Sequence, residues 1–357
     1  MLRIQQHVPL PKHPRPIVIV GAGGIVRSAH LPAYKKAGFP VAGIFDVAGE
    51  KALAVAQEFS IPAVYSSLDE LFARAPKEAV FDIATPASCF LSVLGRVPEG
   101  SVVLLQKPMG ENIEQATAIR DLCRRRALTG AVNFQLRYAP NIMAARSLIE
   151  RGAVGEVSDL EVRVTVYTPW HLWSFLEGIP RVEMLYHSVH YIDLARSFLG
   201  DPPTVWARTV KQPKNPKIAS TRSNIILEFG PTVRANISVN HDHEYGFRHQ
   251  ESYVKWEGTG GAIKTTLGVL MDYPNGVADT LEYCTLEEGR TPEWTSVPLE
   301  GTWFPDGFTG SMASLMRYAD GSSDKLPNSI EDAWRTMSVV EAAYRSSDSE
   351  GTRVRYD

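Results

Sequence analysis

From Pro16 to about Phe134, short apolar runs alternate with amphipathic stretches. Ile17–Val20, Val41–Phe45, Ala79–Ala84, Val102–Leu105 and Gly130–Phe134 are too short for helices and almost continuously apolar, as strands covered on both faces are. A further short strand is expected near Val64. Between these runs, Val26–Ala37, Gly49–Phe59, Leu68–Ala75, Ala87–Val97 and Glu111–Ala127 read as helices. Gly38 stops the first, and Ser67 caps the third with Glu70 in the position of a capping-box acid. Strands alternating with helices of this length predict βαβ units and a parallel sheet.

After about Tyr138 the pattern changes. A helix over Asn141–Arg151 leads to segments of period two: Leu160–Val166, Val205–Val210, Asn224–Phe229, Val233–Val239, Tyr253–Trp256 and Leu281–Cys284. Gly, Pro, Asn and Asp join them, as antiparallel hairpins require. Helices are expected around Glu183–Phe198, Gly310–Tyr318 and Ile330–Tyr344. The chain is thus predicted as an α/β domain over 1–136 and an α+β domain over 137–357, the second built on a mostly antiparallel, open-faced sheet. The final helix, 329–346, is long enough to pack back on the first domain.

Composition narrows the partners. With 357 residues, 44% of them hydrophobic, two cores are available; a net charge of -3 with no basic run beyond Arg124-Arg125-Arg126 argues against nucleic acid. Three dispersed cysteines fit neither a disulfide framework nor a cysteine zinc site. The opening MLRIQQHVPLPKHPRP lacks a signal-peptide core and reads as a disordered leader, and no apolar run is long enough to span a membrane. A cytoplasmic protein with no membrane partner is expected.

The first candidate chemistry lies directly after the first strand, in Gly21-Ala22-Gly23-Gly24-Ile25-Val26. A tight strand-to-helix turn needs a left-handed residue, and close approach of a pyrophosphate needs a residue without a side chain. Gly21, Gly23 and Gly24 meet those needs, and a helix starting near Ile25 offers N–H groups to the phosphates. Val26 replaces the third glycine of the usual fingerprint. Asp46, ending the second strand, is placed to bind ribose hydroxyls; no Arg follows it to receive a 2′-phosphate, so NAD is favoured over NADP.

Several spaced segments together carry a resemblance: GAGGIVRSAHLPAY, FDIATP, LLQKPMG, FQLRYAPN, GAVGEV and HYIDLARSFLG. Over nearly its whole length the sequence resembles the glucose–fructose oxidoreductase / inositol dehydrogenase / rhizopine catabolism (Gfo/Idh/MocA) family. The resemblance implies a Rossmann domain, a C-terminal sheet that builds homodimers or homotetramers, and hydride transfer between a nicotinamide and a sugar or polyol. It implies cofactor contacts from Thr85, Pro86, Gln106 and Lys107. Lys107 matches the catalytic lysine of the family's Glu-Lys-Pro motif, with Gln106 in place of the acid. His190 occupies the family's histidine position, while Tyr186 stands where an aspartate is usual and Ser188 where a glycine is.

The same helix can be read without the family. At 3.6 residues per turn Glu183, Tyr186, His187 and His190 share a stripe, and a stripe of tyrosine and histidine suits a site wall better than a solvent face. His190 is suited to carrying the hydroxyl proton. Tyr186 and His187 are expected to orient substrate, and i,i+4 pairs Glu183–His187 and Tyr186–His190 to fix tautomers. Trp170 and Trp173 offer flat rings for the C–H faces of a sugar, and His241 is a further substrate-contact candidate. Although His241-Asp242-His243 invites a metal reading, no compact ligand set emerges and none is assigned. The sequence therefore predicts an NAD-dependent dehydrogenase of a sugar, sugar derivative or cyclitol. Its rivals are a glycosidase that retains NAD and oxidises transiently, and a non-catalytic nucleotide sensor.

Overall fold

A computed structural model describes residues 4–355. Internal contacts divide the chain into two compact units. One runs to Ser147 and takes in Leu299–Met337; the other comprises Leu148–Pro298 and the chain from Ser338. Residues 137–147 and 299–337, placed by the sequence reading with the second domain, thus pack with the first unit. The reason is visible at the helix Trp303–Ala319, which lies so close to residues 135–138 that a Cβ on Gly310 would come within 2.6 Å of the Tyr138 side chain.

In the first unit five strands form one parallel sheet: β1 (Ile17–Val20), β2 (Val41–Phe45), β3 (Val80–Ile83), β4 (Val102–Leu105) and β5 (Thr129–Val132). Their order is β2-β1-β3-β4-β5. Every residue of β1, β3 and β4 is buried, which explains why these strands read as almost continuous apolar runs. The chain reverses its direction of travel across the sheet between β1 and β3, and ligands of such sheets bind in the crevice at the carboxyl ends of the strands there.

The helices match their sequence signals with local adjustments. A π-helical turn, Val26–His30, precedes the helix Leu31–Ala37, which Gly38 ends at φ +69°. Ser67 Oγ accepts from the Glu70 N–H at 3.1 Å, as capping requires, but the Glu70 carboxylate receives Ser66 N–H at 2.8 Å instead of closing the box on Ser67. Those bonds and Arg74 lower the Glu70 pKa to about 2. The leader is not a loose tail from Gln5 onward. Gln5 N–H donates to Ser147 Oγ at 3.1 Å, Gln6 Oε1 accepts from Glu300 N–H at 2.8 Å, and Arg15 donates to the Ala319 carbonyl.

The second unit is an eight-stranded sheet of β6 (Val157–Thr165), β7 (Thr204–Val210), β8 (Arg222–Glu228), β9 (Arg234–Asn240), β10 (Glu251–Gly258), β11 (Gly261–Thr266), β12 (Leu281–Thr285) and β13 (Thr295–Ser296). The order is β13-β12-β11-β10-β6-β9-β8-β7, antiparallel throughout except for the parallel β6–β9 pair. Alternate residues such as Leu160, Val162, Ile237, Val254 and Trp256 are buried on one face, where Phe198 of the helix Val189–Leu199 meets Trp256 at 5.0 Å between ring centroids. The opposite face carries ion pairs, Lys255 with Glu161 and Arg163 with Glu251, and, on the edge strand β7, the exposed Trp206. A mostly antiparallel sheet with one open face is what the period-two pattern predicts.

Candidate functional site

The glycine loop is built for close approach. Gly21 follows β1 at φ +112°, and a Cβ there would lie 2.7 Å from the Ala84 carbonyl oxygen, so both conformation and space demand glycine. Around Gly23 and Gly24, by contrast, the Cβ directions meet nothing within 4 Å. Val26 N–H turns back to the Gly23 carbonyl at 3.1 Å, so the helical turn begins inside the loop, as the reading near Ile25 expects. Val26 itself is fully buried, filling the place where the fingerprint has its third glycine.

Asp46 sits one residue past β2, and two backbone donors fix its carboxylate: Ala22 N–H to Oδ2 at 2.7 Å and Ala48 N–H to Oδ1 at 2.8 Å. Each oxygen keeps a lone pair for a further donor, as ribose hydroxyls would supply. Val47 beside it is 95% exposed, an apolar side chain with no packing partner to explain it. Thr85 and Pro86 follow β3, and Thr85 Oγ1 is buried without a hydrogen-bond partner. An unsatisfied buried hydroxyl at the mouth of the crevice costs about 1–3 kcal/mol unless a ligand bonds it. The open glycines, the fixed carboxylate and this orphaned hydroxyl fit a dinucleotide.

Gln106 and Lys107 follow β4 directly. Gln106 Oε1 accepts the Lys107 backbone N–H at 2.8 Å. Lys107 is half-buried, and loss of hydration lowers its ammonium pKa to about 8. Sequence reasoning missed Asn133, next to Leu105 through its N–H bond at 2.7 Å. It is 1% exposed and both of its amide atoms lack partners, a state that a buried amide rarely keeps without a ligand or water to bond it. A lone polar residue ending an apolar strand was its only signal.

In the second unit, a π-helical turn over Met184–Ser188 leads into the helix Val189–Leu199. The widened turn alters the stripe expected from 3.6-residue geometry. Glu183 is fully buried, and its carboxylate accepts from Ser188 Oγ, five residues on, at 2.7 Å. It also lies 3.7 Å from His241 Nε2. His187 joins this group, its ring 4.4 Å from that of His241 and 5.3 Å from Trp170. His241 Nδ1 is fixed by Thr168 Oγ1 at 2.8 Å, and Trp170 Nε1 donates to Asp242 at 3.3 Å. Trp170, His187 and His241 thus form one cluster, with Trp170 and His241 largely enclosed in it.

Tyr186 and Trp173 belong to a neighbouring apolar cluster with Leu176, Val182 and Ile218, and Tyr186 meets the exposed Phe175 at 6.0 Å. Trp173 meets Tyr273 at 6.4 Å. His190 lies in the first turn of the following helix and is 7% exposed. Among the described residues, no group of three or more His, Cys, Asp or Glu side chains is placed to hold a metal ion. No described helix is long and apolar enough to cross a membrane.

A phosphate loop opening a 2-1-3-4-5 parallel sheet, with a lysine after β4, defines a nicotinamide-dinucleotide-dependent oxidoreductase of two-domain type. Residues 15–134 match the model described as an oxidoreductase family with an NAD-binding Rossmann fold, and residues 142–264 match the GFO/IDH/MocA C-terminal domain. The chain belongs to the Gfo/Idh/MocA family. It is similar to a D-apiose dehydrogenase of Rhizobium rhizogenes, 24% identical over 87% of this chain and 88% of that protein. It is also similar to a D-xylose 1-dehydrogenase (NADP(+)) of Haloferax volcanii, 25% identical over 95% and 99%. In fold it resembles an Agrobacterium radiobacter oxidoreductase solved with NAD+, L-tartaric acid and magnesium, at TM-score 0.76, 22% identity and coverage of 94% and 96%.

Proposed function

We propose that this chain catalyses reversible, NAD-linked oxidation of a secondary alcohol or hemiacetal carbon in a sugar, sugar derivative or cyclitol. The observation that carries this reading is Lys107, an amine at the carboxyl end of β4 whose burial lowers its pKa to about 8. Bound nicotinamide supplies the hydride acceptor. The chain's own residues do the rest. The Lys107 ammonium polarises the reacting oxygen and favours its alkoxide-like charge as the C–H bond breaks. His190 takes the hydroxyl proton and returns it in reduction. Tyr186 and His187 orient the substrate, with Trp170, Trp173 and His241 contributing aromatic and imidazole surface to its recognition. The sugar dehydrogenases among the relatives support the substrate class.

The preference for NAD over NADP is supported by Asp46, whose carboxylate, held by two backbone donors, would repel a 2′-phosphate brought near it. Asp46→Ser is expected to shift the NADP/NAD preference toward NADP by about 10–100-fold, about 1.4–2.8 kcal/mol. Steady-state kinetics with each cofactor checks this; an unchanged ratio would remove Asp46 from cofactor selection. The exposed Trp206 and Ile226 on the open sheet face support assembly into a homodimer or homotetramer through that face. A cytoplasmic location fits the three unpaired cysteines.

A panel of monosaccharides, aldonates and inositols with NAD and NADP, followed at the absorbance of the reduced nicotinamide, tests the function. Accumulation with at least one of them is expected. Glycoside hydrolysis without net reduction would point to a transient-oxidation glycosidase, and firm NAD binding with no turnover on any compound would point to a sensor.

A further inference from the structure

A line of polar side chains runs from the Lys107 loop into the core of the first unit, and the steps assigned above make no use of it. Lys107 N–H donates to Gln106 Oε1 at 2.8 Å, and Gln106 Nε2 lies 3.2 Å from His30 Nε2. His30 Nδ1 lies 2.7 Å from Asp82 Oδ2, and the Tyr34 hydroxyl donates to the same oxygen at 2.7 Å. His30, Tyr34 and Asp82 are fully buried, and Gln106 is 8% exposed.

The direction of each bond follows from the Lys107 end. A backbone N–H only donates, so the amide atom facing it is oxygen and the amide nitrogen faces His30. An amide nitrogen only donates as well, so His30 Nε2 accepts and carries no proton. The ring proton is on Nδ1 and is donated to Asp82. An imidazolium would set one donor against another at 3.2 Å. The ring is faced by Asp82 from β3, Tyr34 from its own helix and Gln106 after β4. Phe308 of the helix Trp303–Ala319 completes the surround, with centroids 4.9 Å apart.

We propose that Gln106, His30 and Asp82 form one positioning chain that fixes the Lys107 peptide and sets a neutral amide, in place of a carboxylate, beside it. The proposal rests on the assignment of Lys107 as the catalytic amine. Gln106 is the residue on which the chain's charge turns. The Glu-Lys-Pro motif of the resembled family has a carboxylate there, which offers His30 Nε2 only an acceptor. His30 would then have to carry protons on both nitrogens, between two carboxylates. With glutamine, His30 Nε2 faces a donor and residue 106 itself adds no negative charge beside Lys107, in keeping with the lowered pKa of its amine.

The test follows His30 by nitrogen NMR in protein carrying ¹⁵N-labelled histidine, alongside kinetics of Gln106→Glu and Gln106→Leu. Wild-type His30 is expected as the Nδ1–H tautomer, and Gln106→Glu is expected to protonate both nitrogens. Gln106→Leu offers no acceptor to Lys107 N–H and is expected to lower kcat about thirtyfold. Gln106→Glu restores the acceptor and should recover most of that loss. If the leucine variant fails to fold, the tautomer readout in wild type and Gln106→Glu decides alone. An imidazolium in the wild type, or a tautomer indifferent to Gln106→Glu, overturns the chain. The expected tautomers together with a fully active Lys107→Ala would leave the chain standing and remove the catalytic reading of the lysine.

Discussion

Lys107→Ala is expected to reduce kcat about a thousandfold while the Kd for NAD changes less than about threefold. The split follows from position. Lys107 lies after β4, whereas the groups fitted to the pyrophosphate and adenosine lie after β1, β2 and β3, at Gly21–Ile25, Asp46 and Thr85. Removing the amine therefore removes charge stabilisation that develops as hydride leaves, and leaves dinucleotide affinity intact. Steady-state kinetics and calorimetric NAD binding check both halves; equal losses in each would assign Lys107 to binding.

The pH dependence has a definite sign. In the proposed mechanism the active form is the Lys107 ammonium, whose pKa burial lowers to about 8. Its charged fraction, and with it kcat/KM for oxidation, should fall about tenfold per pH unit above that value. Lys107→Arg keeps its charge in the alkaline range, so its slower reaction should lack the alkaline limb.

His190→Asn is expected to lower kcat for sugar oxidation about 100–1,000-fold. Asparagine keeps a polar side chain of similar reach at this 7% exposed position, so thermal stability should change little beside the loss of rate. A residual rate that rises with added imidazole would identify the missing function as proton transfer. A variant retaining the wild-type rate would move that role to another residue.

Much of this was legible in the chain because the signals were strong and local. β1, β3 and β4 bury both faces, so apolar runs broken only by Asp82 reported them, and Gly21 was demanded by both φ and space. β11 went unread because Lys264, Thr265 and Thr266 carry little apolar signal; Thr265 is buried, with its hydroxyl bonded to the Thr280 carbonyl. The two π-helical turns were also invisible, since a pattern of residues does not report one extra residue in a turn. That residue turned Glu183 toward Ser188 and His241. The chain from Gln106 to Asp82 did leave a trace. An aspartate inside the otherwise apolar strand Val80–Ile83 needs a buried partner, and only the fold shows that the partner is His30.

Hydride transfer itself is the most direct test. A sugar that turns over is supplied with deuterium at the carbon being oxidised, and the nicotinamide product is examined by mass spectrometry and NMR. Deuterium should appear on one face of nicotinamide C4, one atom per carbonyl formed, and the signal should be lost with Lys107→Ala. Product formed with all the label in solvent would contradict the account.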